Sequence, residues 1–221
     1  MTFSHKVPRE YRACFAWFEL IVVYALIECA LWSRRGLIRN RWALAAAAAI
    51  AIFVALDVTL TDQPLARRLG LALPTTFGAG FVLAVSLAAA AFLVFAVRWA
   101  GGDVPANGIW PSFGQSWAYV VWALLQEFIL QSFFFTRCED LFGGSKAVWV
   151  AATLFAVAHL PSPLLTTFTF VAALFFCSVF RRYRSIYPIA VMHAILGLTV
   201  AATMPDSLLH HMRVGIGYLR Y

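Results

Sequence analysis

The chain has little charge. Of its 221 residues only 12% are Asp, Glu, Lys or Arg, while 62% are hydrophobic. A soluble domain is roughly half apolar and about a quarter charged, so this balance excludes an ordinary soluble fold. The four cysteines, Cys14, Cys29, Cys138 and Cys177, are scattered without a Cys-x-x-Cys pair. That spacing offers neither a disulfide framework nor a structural metal site, and buried free thiols in or near helices are expected. No Ala-x-Ala site follows the apolar run from Ala13 to Trp32, which ends in Ser33-Arg34-Arg35. The run is therefore a retained helix rather than a signal peptide. No internal repeat is visible. The net charge of +7 resides in arginines between apolar runs. Anionic headgroups and the positive-inside rule account for it, and a nucleic-acid partner is not implied.

Long apolar runs are what the chain has in abundance. They are far longer than barrel strands, so the fold class is an all-α polytopic membrane protein of about seven transmembrane helices. The expected spans are 13–32, 42–60, 77–99, 116–135, 146–160, 163–180 and 188–203. Thr61-Asp62-Gln63-Pro64 breaks the chain after the second. A short interfacial helix is expected over 65–74, and a Gly- and Pro-rich loop over 101–114. A single membrane domain covers 1–221: variable helices and loop over 1–115, a core over 116–203 and a tail over 204–221. Lys and Arg fall slightly more often on the N-terminal side, which favours a cytoplasmic N-terminus. The expected location is the bacterial inner (cytoplasmic) membrane, multi-pass.

Ionisable residues inside apolar runs are costly and mark function or pairing. Glu19 and Glu28 are expected to serve structural pairing, Glu28 with Arg34 and Arg35. Asp57 sits near a helix end and is expected to snorkel. Arg137, Glu139 and Asp140 are expected where the fourth helix leaves the membrane. His210 and His211 are expected in a soluble tail.

Three intramembrane sites remain. Glu127 lies near the middle of its run. Gln131 is four residues on, on the same helix face, within reach of Glu127; Gln126 is turned about 100° away. His159 falls in the last turn before Pro161, and His193 falls inside the last helix. A carboxylate and an imidazole can together hold and deprotonate a water, and a second imidazole can stabilise an oxyanion. The same groups can instead fix helix register through hydrogen bonds or relay protons in a small transporter. One carboxylate and two histidines also match a catalytic zinc ligand set, although His-Glu-x-x-His is missing.

At these residues the chain resembles the CPBP (Abi) family of intramembrane proteins, which includes CAAX prenyl endopeptidases and bacteriocin-processing or immunity proteins. The family pattern is Glu-Glu-x-x-x-Arg on one helix, Phe-x-x-x-His ending the next, and His-x-x-x-Asn or Asp on a later one. The matching residues are Gln126-Glu127-x-x-x-Gln131, Phe155-x-x-x-His159 and His193-x-x-x-Gly197. The resemblance implies an intramembrane endopeptidase acting on a membrane-embedded or lipid-anchored protein: a prenylated tail, a leader peptide or a transmembrane sorting tail. It implies catalytic positions at Gln126, Glu127, His159 and His193, with Gln131, Phe155 and Gly197 at the substrate. It points to no cofactor, zinc being the one candidate. Three positions depart from the pattern. Gln126 cannot act as a general base, Gln131 replaces an Arg, and Gly197 has no side chain to donate a hydrogen bond. Freed of that Arg, Glu127 can turn toward His159 and serve as base. A catalytically inactive membrane scaffold or immunity protein is the alternative implied by the same departures.

Overall fold

The computed structural model describes residues 9–34, 40–60, 64–102 and 113–220. The expected break at 61–63, Arg35, and most of the 101–114 loop lie outside the described residues.

The described residues are helical and contain no β-strand. Helix α1 spans Arg9–Leu31, α2 Arg41–Leu60, α3 Leu65–Arg68 and α4 Thr76–Trp99. Then α5, Phe113–Glu127, runs through a π-helical segment, Phe128–Phe135, into α6, Thr136–Phe142. Helix α7 spans Gly144–Val157, α8 Pro163–Tyr183 and α9 Tyr187–Thr203. The tail forms two short helices, α10 (Asp206–Leu209) and α11 (Ile216–Leu219), around a 3-10 turn. Five helices are long and apolar enough to cross a membrane: Ala13–Leu31, Arg41–Thr59, Thr76–Trp99, Ser116–Phe142 and Pro163–Tyr183. Helices α7 and α9 are apolar but shorter, at 14 and 17 residues. The chain is an integral, multi-pass membrane protein, because backbone polar groups in lipid must be satisfied within helices.

Local chemistry sets the helix ends. The Thr75 side chain accepts from the Gly78 N–H at 3.1 Å and caps α4. Ser162 caps α8, with Pro163 in its first turn. Gly143 takes φ 78°, which turns the chain from α6 into α7. The packed pairs are α7 with α8, α4 with α9, α1 with α2, and α5 with α9. The core centres on the π segment. Leu130, Gln131, Ser132, Phe133, Phe134 and Phe135 are all buried, so this stretch meets protein on every side rather than lipid.

A chain of ion pairs ties the N-terminal end of the bundle together, and two expectations change there. Arg137, near the end of its span, is not exposed there but buried. Its side chain is 2% exposed. Its Nε donates to Glu19 Oε2 at 2.8 Å. Its guanidinium also donates to the Ser132 and Phe53 carbonyls, both at 3.2 Å, and lies 4.4 Å from the Phe133 ring centroid. Asp57 does not snorkel. It accepts from Arg68 Nε at 2.6 Å and Arg68 Nη2 at 2.8 Å, while Asp140 accepts from Arg68 Nη2 at 2.6 Å. Both changes have one cause: a buried charge is tolerable when its partner is buried with it, and Arg68 and Arg137 arrive from elements distant in sequence. Burial disfavours the Arg68 cation, but its hydrogen bonds to Asp57 and Asp140 outweigh it and hold its pKa above the ordinary value.

Three smaller corrections follow. Glu28 takes the Trp32 indole N–H at 3.2 Å rather than an ion pair with Arg34. Cys14 and Cys29 are exposed on α1, while Cys138 and Cys177 are buried; an outward helix face in lipid can hold a thiol without protein contact. The tail is folded back. Leu209 packs with Leu165 and Val200, the Gly215 N–H donates to Leu160 O at 2.8 Å, and His211 pairs with Asp206 at 2.8 Å.

Candidate active site

Glu127 closes α5 where the π segment begins, a kind of irregularity often found at functional sites. It is 0% exposed, and both its oxygens are engaged. Oε1 meets His193 Nδ1 at 2.8 Å, from the middle of α9. Oε2 accepts from Gln131 Nε2 at 3.1 Å. A carboxylate only accepts, so Nδ1 of His193 carries the proton. Glu127 thus fixes the tautomer and the orientation of the imidazole, and Gln131 fixes Glu127. Gln131 is itself buried, so it lies behind the carboxylate, where its Oε1 has no partner among the described residues. The Cys177 thiol lies against the same pair.

His159 follows α7, in the turn before Pro161. Its Nδ1 is 2.7 Å from the Phe155 carbonyl oxygen. A carbonyl also only accepts, so this Nδ1 carries a proton and Nε2 bears the lone pair in the neutral ring. Phe155 stands between the two histidines. Its ring centroid is 4.8 Å from that of His159 and 6.2 Å from that of His193, perpendicular to the latter. Phe176 stacks on His193 at 5.6 Å. Among the described residues neither Nε2 has a protein partner.

The site residues expected from sequence are therefore placed as follows. Glu127, His193 and Gln131 form one hydrogen-bonded unit, and His159 joins it across the Phe155 ring. The carboxylate's hydrogen-bond partners are His193 and Gln131, not His159. Gln126 is half-buried, and among the described residues it makes no side-chain hydrogen bond to the unit. Among the described residues no three His, Cys, Asp or Glu side chains come together as a metal site. Glu127 is engaged by His193 and Gln131 rather than standing open as a third ligand, while His159 and His193 are each held through Nδ1.

One residue was missed. A methyl group built on Gly197 would run into the Tyr119 hydroxyl, with the ring carbon Cζ at 2.7 Å. Gly197 is one turn beyond His193, and the Tyr119 ring meets His193 edge-on at 6.4 Å. The missing side chain at 197 thus makes a notch, and a phenol from α5 fills it. The available signal was spacing: Tyr119 precedes Glu127 by eight residues, just over two turns, on the same helix face. Gly197→Ala is expected to lower stability by about 1–3 kcal/mol through overpacking. Adding Tyr119→Phe should recover part of that loss, because the two residues share one contact. Thermal unfolding of the purified variants in detergent measures both.

Residues 108–199 match the family model described as type II CAAX prenyl endopeptidase Rce1-like. This segment is similar to the CPBP, or CAAX-protease, family. The match contains the whole unit, from Tyr119 through Gly197, and supports a CAAX-protease-type fold for this segment. No curated protein matches the chain, and no solved structure does.

Proposed function

We propose that this CAAX-protease-type protein is an intramembrane endopeptidase that cleaves a membrane-anchored peptide, such as a prenylated, lipid-anchored or sorting-tail segment. The observation that carries the reading is the hydrogen bond from His193 to the fully buried Glu127, with His159 facing the same unit across one aromatic ring. A carboxylate inside lipid is expensive. Here it is spent on orienting an imidazole, the arrangement that hydrolytic sites use to keep a histidine in the reactive tautomer.

The chemistry divides among the residues as follows. His159 Nε2 takes a proton from a water whose oxygen attacks the scissile carbonyl carbon. The Tyr119 hydroxyl donates to the oxyanion that forms, and His193 joins it from Nε2 when its ring, held by Glu127 at Nδ1, is protonated. Tyr119 supplies from α5 the donor that Gly197 cannot. The C–N bond then breaks, and His159 returns its proton to the leaving amine. Glu127 and Gln131 are positioning residues, and the aromatic rings of Phe155 and Phe176 keep the pair away from bulk water.

The inactive-scaffold reading rests on one observation: both oxygens of Glu127 are occupied, and Gln126 supplies no second carboxylate. Reconstitution separates the two. The protein in phospholipid vesicles is incubated with a farnesylated C-terminal peptide or with a transmembrane sorting-tail peptide, and released fragments are identified by mass spectrometry. The protease reading expects cleavage of one class that His159→Ala removes. Peptide retained but uncut by wild type favours the scaffold.

A further inference from the structure

A second polar feature lies away from this unit, among the helix ends that carry the ion-pair chain. A cleft of about 370 Å³ is lined by Pro64, Arg67, Arg68, Arg181 and Arg184. We propose that this cleft is a binding site for the phosphate of an anionic phospholipid headgroup.

The walls of the cleft are held in place. The Ser132 hydroxyl donates to Leu69 O at 2.6 Å, and the Ile186 N–H donates to Gly70 O at 2.9 Å. These bonds pin the turn after α3 against the end of α8. Arg184 sits at left-handed φ 51°. Its Nη2 donates to both Glu139 oxygens at 2.6 Å.

The charges do not close. Four guanidiniums meet three carboxylates, Asp57, Asp140 and Glu139, and Asp57 also lies 4.0 Å from Arg137. Arg68 and Arg184 hold those carboxylates. Among the described residues the Arg181 guanidinium meets the Ser145 hydroxyl, at 3.1 Å, and no carboxylate, and Arg67 is exposed. Among the described residues at least one positive charge is left over, and a phosphodiester carries one negative charge. Guanidinium forks match phosphate oxygens in geometry as well as sign.

The location selects a lipid over a free anion. Helices α4 and α8 meet the membrane boundary here, and basic pockets between helix ends take anionic headgroups. Leu65, Leu73 and Phe77 are exposed next to the cleft in sequence, Leu73 at 88% and Phe77 at 74%. They offer the acyl chains an apolar surface beside the arginines.

The test uses the full-length protein in nanodiscs of phosphatidylcholine with and without phosphatidylglycerol, with bound lipid measured by native mass spectrometry after release into detergent. Wild type is expected to retain phosphatidylglycerol and exchange phosphatidylcholine. Arg67→Ala/Arg181→Ala should retain about thirtyfold less, the loss expected for two interfacial arginines. Arg41→Ala, a basic residue outside the cleft, should retain as much as wild type. Arg67→Gln alone, at an exposed position, reports the same loss in part should the double variant unfold. Equal retention of the two lipids, or of phosphatidylglycerol by wild type and the cleft variants, overturns the site. Displacement of the lipid by millimolar inorganic phosphate, with the same thermal stabilisation, assigns the cleft to a soluble anion and overturns the lipid.

Discussion

Arg137→Met is expected to destabilise the protein by about 3–5 kcal/mol, the largest stability effect of any single change considered. The methionine fills the space, but Glu19 is then left as a buried carboxylate without its partner. The Phe53 and Ser132 carbonyls also lose a donor. Glu19→Gln should cost less, because the amide still accepts from Arg137. Glu19→Leu combined with Arg137→Met should recover most of the loss, since replacing a buried pair by packed apolar residues is often close to neutral. Unfolding in detergent, followed by helical circular dichroism, measures all three. An Arg137→Met protein that unfolds with the wild type would show that the ion-pair chain contributes nothing.

The second large effect is on activity. His159→Ala is expected to reduce cleavage by about 10²–10⁴-fold, the usual range for a general base. Glu127→Gln should be nearly as damaging while leaving the fold intact. A glutamine at 127 can still accept from His193 Nδ1, and the Gln131 amide can flip to offer its unpaired Oε1. What disappears is the negative charge behind the imidazole. Removing His159 and His193 together should cost about as much as removing His159 alone, because groups acting as a unit do not add. Separate, multiplying losses would mean that the two histidines work independently.

Much of this site was legible in the sequence. The Glu127–Gln131 contact follows from a four-residue helical spacing inside an apolar run, and His159 and His193 stood out because imidazoles are rare there. The helix ends were legible where Pro163 or Gly143 marks them. What was not legible depends on contacts between distant elements. Arg137 reads as a boundary charge until Glu19 and Asp57, far away in sequence, are seen to meet its neighbourhood. Tyr119 reads as one more aromatic of an apolar helix until Gly197 opens a notch opposite it. The π segment has no signal of its own, since six consecutive buried residues require neighbours on every side. The fold-back of the tail was not legible because nothing local shows that Gly215 reaches Leu160.

The most direct test of the central claim is quantitative mass spectrometry of membrane-protein termini in cells expressing wild type, His159→Ala or Glu127→Gln at equal levels. The account predicts at least one membrane-anchored protein whose processed terminus is present with wild type and absent, with the uncut form accumulating, in both variants. Identical termini in all three strains, with the variants folded and in the membrane, would contradict it.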